Sequence, residues 1–336
     1  MTTVEDTRSW TFATGTEPRV HVVHENPEWF PPFEAAFRTA GVPFQEVLLT
    51  DGSLDLDAEP APGVYWSRLS ASAHTRGHER TKEYTRAVFA WLEGWGRRVV
   101  GGTPVVELEV SKVAQHALLR RHGFDVPRTL AVFGRDDLSR RTRELDVPFI
   151  TKHNQGGKGL GVRRFDSHEE FDAHVASPEF EEPADGITLL QEYLRSAQPF
   201  ITRAEFVGGE FVYAVRVDTS AGSFELCPAD ACEVPTSGQA LEACVVDGPQ
   251  GLFSLRGDVT ADTPLIRRYA DLLREAGIEI AGIEFLETAD GRTVTYDVNT
   301  NTNYNPAVEA VAPRSGPGEI ARYLGELLRD ETARQG

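Results

Sequence analysis

Four glycines in six residues, Gly156-Gly157-Lys158-Gly159-Leu160-Gly161, follow the strand-like segment Pro148–Lys152. Such a run lets a backbone come close to phosphates and aim several N–H groups at them, while Lys158 adds charge. It is not a P-loop, which needs G-x-x-x-x-G-K-[ST] running into a helix; here Lys158 is followed by Gly159 and then by strand-like residues. The dinucleotide pattern G-x-G-x-x-G fails on spacing. What remains is strand, glycine flap, strand, with a plain surface hairpin as the alternative. Of 34 basic residues only Lys82, Lys112, Lys152 and Lys158 are lysines. In so arginine-rich a chain, a retained lysine points to a compact charge on a phosphate. Lys82 reads instead as solvated.

Two hairpins carry further chemistry. Ile283–Glu287 and Thr293–Asn299 flank Asp290-Gly291, a strong two-residue turn signal. In that register Glu284 falls opposite Asp297, and period two places Asn299 on the same face. Two carboxylates and an amide oxygen suit a hard divalent ion such as Mg²⁺. The alternative is a solvent-facing pair, disfavoured because like charges directly opposite repel. The second hairpin, Ile201–Val207 and Glu210–Val217, turns at Gly208-Gly209. Its expected register sets Arg216 opposite Ile201, with Arg203 and Glu205 on that face. The two arginines form either a bidentate grip on a phosphate or carboxylate, or an ordinary solvated face. Loop 67–78 offers Arg68, His74 and Arg76 to a substrate, or is a polar surface loop. Asn301 and Asn303 extend the face of Asn299 as substrate-facing amides, which can donate to a carboxylate and accept from an amine.

The elements that must position these residues read as α/β, with α+β character in the C-terminal half. Residues 1–17 read as a flexible arm, and 18–105 as a small doubly wound α/β domain. Its strands are Arg19–His24, Phe44–Leu49, Gly63–Trp66 and Arg98–Val100, with a helix over Pro31–Ala40 ended by Gly41. The spacing predicts one helix over 106–122, opening a central unit, 106–190, that contains the flap. Residues 191–336 form a C-terminal unit with the metal hairpin and helices at 264–276 and 318–329. The 336 residues carry 52 acids against 34 bases, a formal charge of −18 that opposes nucleic acid and anionic membrane. No apolar run approaches the ~18 residues of a membrane helix. Three cysteines, Cys227, Cys232 and Cys244, are too few for a disulfide framework, so a reduced, cytoplasmic protein is expected.

Taken in order, these segments resemble the ATP-grasp superfamily, and among its members the RimK-type carboxylate–amine ligases. The carrying pieces are Ser111-Lys112, Pro148–Lys152, the Gly156–Gly161 flap, Leu190–Leu194, Ile283-Glu284 and Asp297-Val298-Asn299. The resemblance spans about Val106 to Asn305. It implies an ATP-grasp fold preceded by the small α/β domain, and an ATP-dependent ligase forming an amide or peptide bond through an acyl phosphate. Lys112 and Lys152 would hold the nucleotide phosphates beneath Gly156, Gly157, Lys158, Gly159 and Gly161. Gln191, Glu192, Tyr193 and Leu194 would meet the adenine, and Glu284, Asp297 and Asn299 would hold Mg²⁺, or Mn²⁺ in its place. Arg216, with Arg203 beside it and Lys158 above, would steady the transferred phosphoryl group and the oxyanion. Partners would be a small carboxylate and an amine, amino acid or peptide, in a homodimer or homotetramer. An ATP-grasp kinase or a non-catalytic nucleotide-binding module are the competing readings. Departures are Asp297-x-Asn299 for the usual Glu-x-Asn, Ile201-Thr202-Arg203 for Asp-Ile-Arg, and Glu225–Asp230 where an Arg-Ser-Asn segment is usual.

Overall fold

A computed structural model of the chain describes residues 15–157, 159, 161–220 and 251–335. Lys158, the three cysteines and the Glu225–Asp230 segment lie outside the described residues. The first unit holds β1 (Arg19–His24), α1 (Pro31–Ala40), β2 (Phe44–Leu48), β3 (Gly63–Ser67), α2 (Thr81–Gly94) and β4 (Arg98–Val100). Its strands form a parallel sheet in the order β2-β1-β3-β4. A parallel sheet must be covered on both faces, and this one is. Val88, Phe89 and Leu92 of α2 cover one face with Tyr65, while Phe33 and Phe37 of α1 lie with Val20, Val22 and Trp66 on the other. Gly41 ends α1 in the left-handed conformation, φ +64°, as expected of a C-cap glycine.

The helix expected over 106–122 is two helices, α3 (Thr103–Glu109) and α4 (Lys112–Arg121). Ser111 causes the break: its backbone is extended and its Oγ accepts from Ala114 N at 3.2 Å, so it caps α4. Next come β5 (Thr129–Phe133), α5 (Leu138–Thr142), β6 (Phe149–His153), β7 (Arg163–Phe165), α6 (His168–Ala176) and β8 (Ile187–Glu192). These strands make an antiparallel sheet, β5-β8-β6-β7, over a separate small core of Phe149, Phe165, Phe171 and Leu190.

The remaining elements are β9 (Phe200–Val207), β10 (Glu210–Asp218), β11 (Phe253–Leu255), α7 (Pro264–Ala276), β12 (Ile280–Glu287), β13 (Thr293–Asn299), α8 (Pro306–Glu309) and α9 (Gly316–Gln335). Their antiparallel sheet runs β11-β10-β9-β12-β13. One face packs on Tyr269 and Leu273 of α7 and on Leu118 and Leu119 of α4; the helix pair α3–α4 therefore buries against this sheet rather than against the central one. The opposite face joins α9 and the first unit in a single core, where Ile320 and Leu324 meet Phe33, Phe37 and Trp66. The first unit and the C-terminal sheet are thus continuous, and the β5–β8 sheet stands apart. No helix among the described residues is long and apolar enough to cross a membrane.

Candidate active site

A cleft of about 280 Å³ opens between the two antiparallel sheets and runs up to the loops after β1 and β3. Its floor is the β12–β13 hairpin. Glu284 pairs with Asp297 and Gly282 with Asn299, as the sequence predicts, but by another route. Thr288 and Arg292 close the turn through backbone and side-chain bonds, leaving three residues in the loop instead of two. Alone, that turn would set Glu284 opposite Tyr296. A bulge at Tyr296 restores the pairing by inserting one extra residue. Asn299 Nδ2 donates to Glu284 Oε1 at 3.2 Å, which leaves the amide oxygen as the atom it can offer a metal.

Both carboxylates already face cations. Lys112 Nζ lies 2.7 Å from Asp297 Oδ1, and Arg203 Nη1 lies 3.6 Å from Glu284 Oε1. Burial and then Asp297 push the Glu284 carboxyl up, against the pull of Arg203, Lys112 and Lys152. Burial would lower Lys112, but Asp297, Glu284 and Glu109 outweigh it and hold the ammonium above its usual range. Lys152, on β6, has no comparable carboxylate. Burial and the neighbouring Lys112 hold it down to about 8, and its Nζ sits 4.9 Å over the Tyr296 ring. Two carboxylates, an amide and two lysines at one point fit a divalent cation with a phosphate chain. No cluster of three or more His, Cys, Asp or Glu side chains fit for a metal occurs among the described residues.

The flap closes the other side. Gly156, Gly157 and Gly159 line the cleft, and Gly157 lies beside Ser72 of the first unit. Gly161 must be glycine: its φ is +67°, and a Cβ there would meet His153 Cδ2 at 2.1 Å. Gln191, Tyr193 and Leu194 line the same cleft. No family model matches the chain. In sequence it is similar to a probable alpha-L-glutamate ligase of Aeromonas salmonicida, 23% identical over 242 residues, 72% of each chain. In structure it is similar to the ATP-grasp ligase PsnB complexed with minimal precursor, at a TM-score of 0.62 and 17% identity, covering 92% of this chain and 99% of that one. A RimK domain ATP-grasp protein from Sphaerobacter thermophilus superposes at 0.61 with 17% identity, covering 91% and 98%. The chain has the ATP-grasp fold.

Named ligases in both comparisons bear out the expected RimK-like, ATP-dependent carboxylate–amine ligase class. Within this ATP-grasp fold several expected site residues come together: Lys112, Lys152, Gly156, Gly157, Gly159, Gln191, Tyr193, Leu194, Arg203, Glu284, Asp297, Asn299, Asn301 and Asn303 all line the cleft. Glu192 does not. Its N–H donates to Arg128 O and its carboxylate accepts from Arg128 N, which ties β8 to the start of β5.

Arg216 is a correction. A bulge at Val212 shifts the β9–β10 register by one, so Arg216 pairs with Thr202 and Arg203 with Val215. Arg216 therefore points from the opposite face of the sheet, exposed, with its guanidinium 4.2 Å from the Phe200 ring centroid. Arg203 alone reaches the cleft, ion-paired with Glu205 at 2.7 Å. Burial pushes the Glu205 carboxyl up to about 7, although Arg203 pulls it back. In the loop after β3, Arg68 is buried against Phe33 and Arg76 pairs with Glu25, while His74 is half-buried outside the cleft lining. Burial lowers the His74 imidazole.

Three residues escaped the sequence reading. Glu109 accepts from Thr300 N at 2.9 Å, Thr300 Oγ1 at 2.8 Å and Ala71 N at 3.3 Å. Gln115 Oε1 accepts from Val298 N at 3.1 Å. Glu109 at the end of α3 and Lys112 and Gln115 on α4 thus reach the tail of β13 from either side of the break at Ser111. Lys82, read as solvated, donates to Gln155 Oε1 at 2.9 Å at the root of the flap.

Proposed function

We propose that this ATP-grasp ligase transfers the γ-phosphoryl group of ATP to a substrate carboxylate and then admits an amine to the acyl phosphate, releasing phosphate and forming an amide. The observation carrying the reading is the convergence of Lys112, Lys152, Glu284 and Asp297 in one cleft that is also lined by Gln191, Tyr193 and Leu194 and by Trp29, Ser70 and Ser72 of the first unit. Mg²⁺, with Mn²⁺ as a substitute, would be held by Glu284, Asp297 and Asn299 and would neutralise phosphate charge during transfer.

The chain's own residues do the rest. Lys112 and Lys152 take the phosphate oxygens, Lys112 leaving Asp297 as it does so. Gly156, Gly157, Lys158, Gly159 and Gly161 close over the phosphates and exclude water, which would otherwise hydrolyse the acyl phosphate. Gln191, Tyr193 and Leu194 receive the base and sugar. Arg203, held at 8% side-chain exposure by Glu205, faces the oxyanion that forms when the amine attacks. No side-chain nucleophile enters the sequence of steps.

An ADP-release screen tests the reading, pairing N-acetyl amino acids as carboxylates with amino-acid amides as amines. The expected result is ADP formation that requires both, with an amide product by mass. A stable phosphate ester would instead make the protein a kinase. Tight ATP binding without ADP would make it a nucleotide-binding module. A homodimer or homotetramer is the assembly expected by light scattering.

A further inference from the structure

One cross-strand row of the C-terminal sheet has a gap in it. Glu205 of β9 pairs with Gly282 of β12, which pairs in turn with Asn299 of β13. The neighbouring row on the same face holds Arg203, Glu284 and Asp297. Gly282 lies inside β12 with a backbone outside the left-handed region, so its conformation does not call for glycine. Glycine weakens a strand interior, and where it stands there it often marks the close approach of another group.

The group that comes close is the Arg203 guanidinium. A Cβ on Gly282 would stand 2.5 Å from Arg203 Nε, 2.8 Å from Nη2 and 2.9 Å from Cζ. These are its three nearest atoms, so the guanidinium lies across the bare Cα. Glu205 holds it there, its Oε1 accepting from Nε at 2.7 Å. Nη1 stands 3.6 Å from Glu284 Oε1, and Nη2 is buried with no hydrogen bond among the described residues. An arginine so enclosed, at 8% side-chain exposure beside a glutamate at 3%, cannot step aside into water. A methyl at position 282 must therefore break the contact with Glu205 or push the strands apart.

Resting on the ligase reading above for what Arg203 does, we propose that Gly282 is a positioning residue, whose missing side chain is the seat that aims the Arg203 guanidinium at the reacting carboxyl group. Glu205 fixes the arginine through Nε, and Gly282 lets the planar group lie between Glu205 and Glu284. Such a donor stabilises an oxyanion only when it is set in advance, since a small displacement from the developing charge forfeits most of its effect. The chemical step thus depends on a residue that has no side chain with which to touch substrate.

The test is a double-mutant cycle on the full chain, Gly282→Ala with and without Arg203→Ala. Thermal melts without ligand read the seat independently of any activity. Gly282→Ala should lower the melting temperature by about 2–4 °C in the wild-type background. With Arg203→Ala it should cost nothing, because the methyl then occupies space the guanidinium has left. With Mg²⁺, ATP and a carboxylate–amine pair that yields ADP, Gly282→Ala should lower kcat about 100-fold and leave KM for ATP within about twofold. The double variant should be no slower than Arg203→Ala alone. An equal fall in melting temperature in both backgrounds, or failure to fold in both, would overturn this proposal, since the strand itself would then need the glycine. Folding of the double variant where Gly282→Ala alone fails would support it. Coupled melts with an unchanged kcat in Gly282→Ala would overturn the positioning role. Coupled melts with no ADP from any pair would overturn the ligase reading while bearing out the seat.

Discussion

Lys112 Nζ lies 2.7 Å from Asp297 Oδ1, so the cation expected on a nucleotide phosphate rests on the carboxylate expected on a metal. The pair explains how two opposed carboxylates persist in the unligated hairpin: the protein supplies the positive charge itself. Read from sequence, the hairpin would be strained by repulsion until metal arrived, and Asp297→Asn would cost no stability. With Lys112 buried against it, the same change strands an ammonium. We expect a loss of the order of 1–3 kcal/mol in a thermal melt without ligands, regained in large part when Lys112→Met is added. Phosphoryl transfer by Asp297→Asn should fall by more than about 100-fold. An Asp297→Asn protein that melts at or above the wild-type temperature would return the hairpin to the repulsive description.

Lys152 predicts a pH dependence. Burial and Lys112 hold its ammonium down to about 8, below the ordinary lysine value of 10.5. Phosphate binds the protonated form, so ADP affinity should be flat below about pH 7 and weaken toward tenfold per unit above about 8. Binding above pH 8 should take up a proton. The stability effect has the opposite sense: the folded chain releases this proton first, so the residue's cost to the fold is relieved between about 8 and 10.5. Calorimetry of ADP binding in buffers of different ionisation enthalpy reads the proton directly. Lys152→Arg should abolish the dependence, because a guanidinium stays charged throughout. An affinity unchanged up to pH 9.5 counts against this assignment.

Ser111 sets where Lys112 begins its helix. Its Oγ accepts from Ala114 N, and Asn154 Oδ1 accepts from Val113 N at 2.9 Å, so two elements cap α4 together. Ser111→Ala should cost about 1 kcal/mol. It should also weaken nucleotide binding, because the capped turn aims the ammonium. Ser111→Thr should restore both. If stability falls while ADP affinity stays unchanged, the cap is structural only.

Gly161 binds the flap to the strand that carries Lys152. Gly161→Ala places a methyl against His153 in a left-handed backbone, at a cost of about 1–2 kcal/mol from the backbone alone. The flap should then close less well, raising KM for ATP more than it lowers the melting temperature. Adding His153→Ala removes the contact but not the backbone strain, so recovery should be partial. Full recovery would assign the whole effect to the imidazole.

The sequence alone determined the parts that depend on local chemistry. The strand–flap–strand order, the capped Pro31–Ala40 helix, the position of Lys152 at a strand end and the acidic hairpin were all legible, because turn residues and side-chain period act over a few positions. Glu284 opposite Asp297 was legible too, although the two-residue turn and unbroken ladder assumed for it were replaced by a longer turn and a bulge that cancel. Tertiary structure decided what local rules cannot weigh. The bulge at Val212 turned Arg216 away from the cleft, since a one-residue slip sends a side chain to the other face. The break at Ser111 turned one helix into two, and Glu109, Lys112 and Gln115 became a grip on β13 only once the sheet was beneath them. The arginines changed meaning for the same reason: a charge in a sequence is available, but in a fold it belongs to whichever carboxylate or carbonyl lies within reach. Partners 234 residues apart, as Arg68 and Thr302 are, leave no local signal by which either could announce the other.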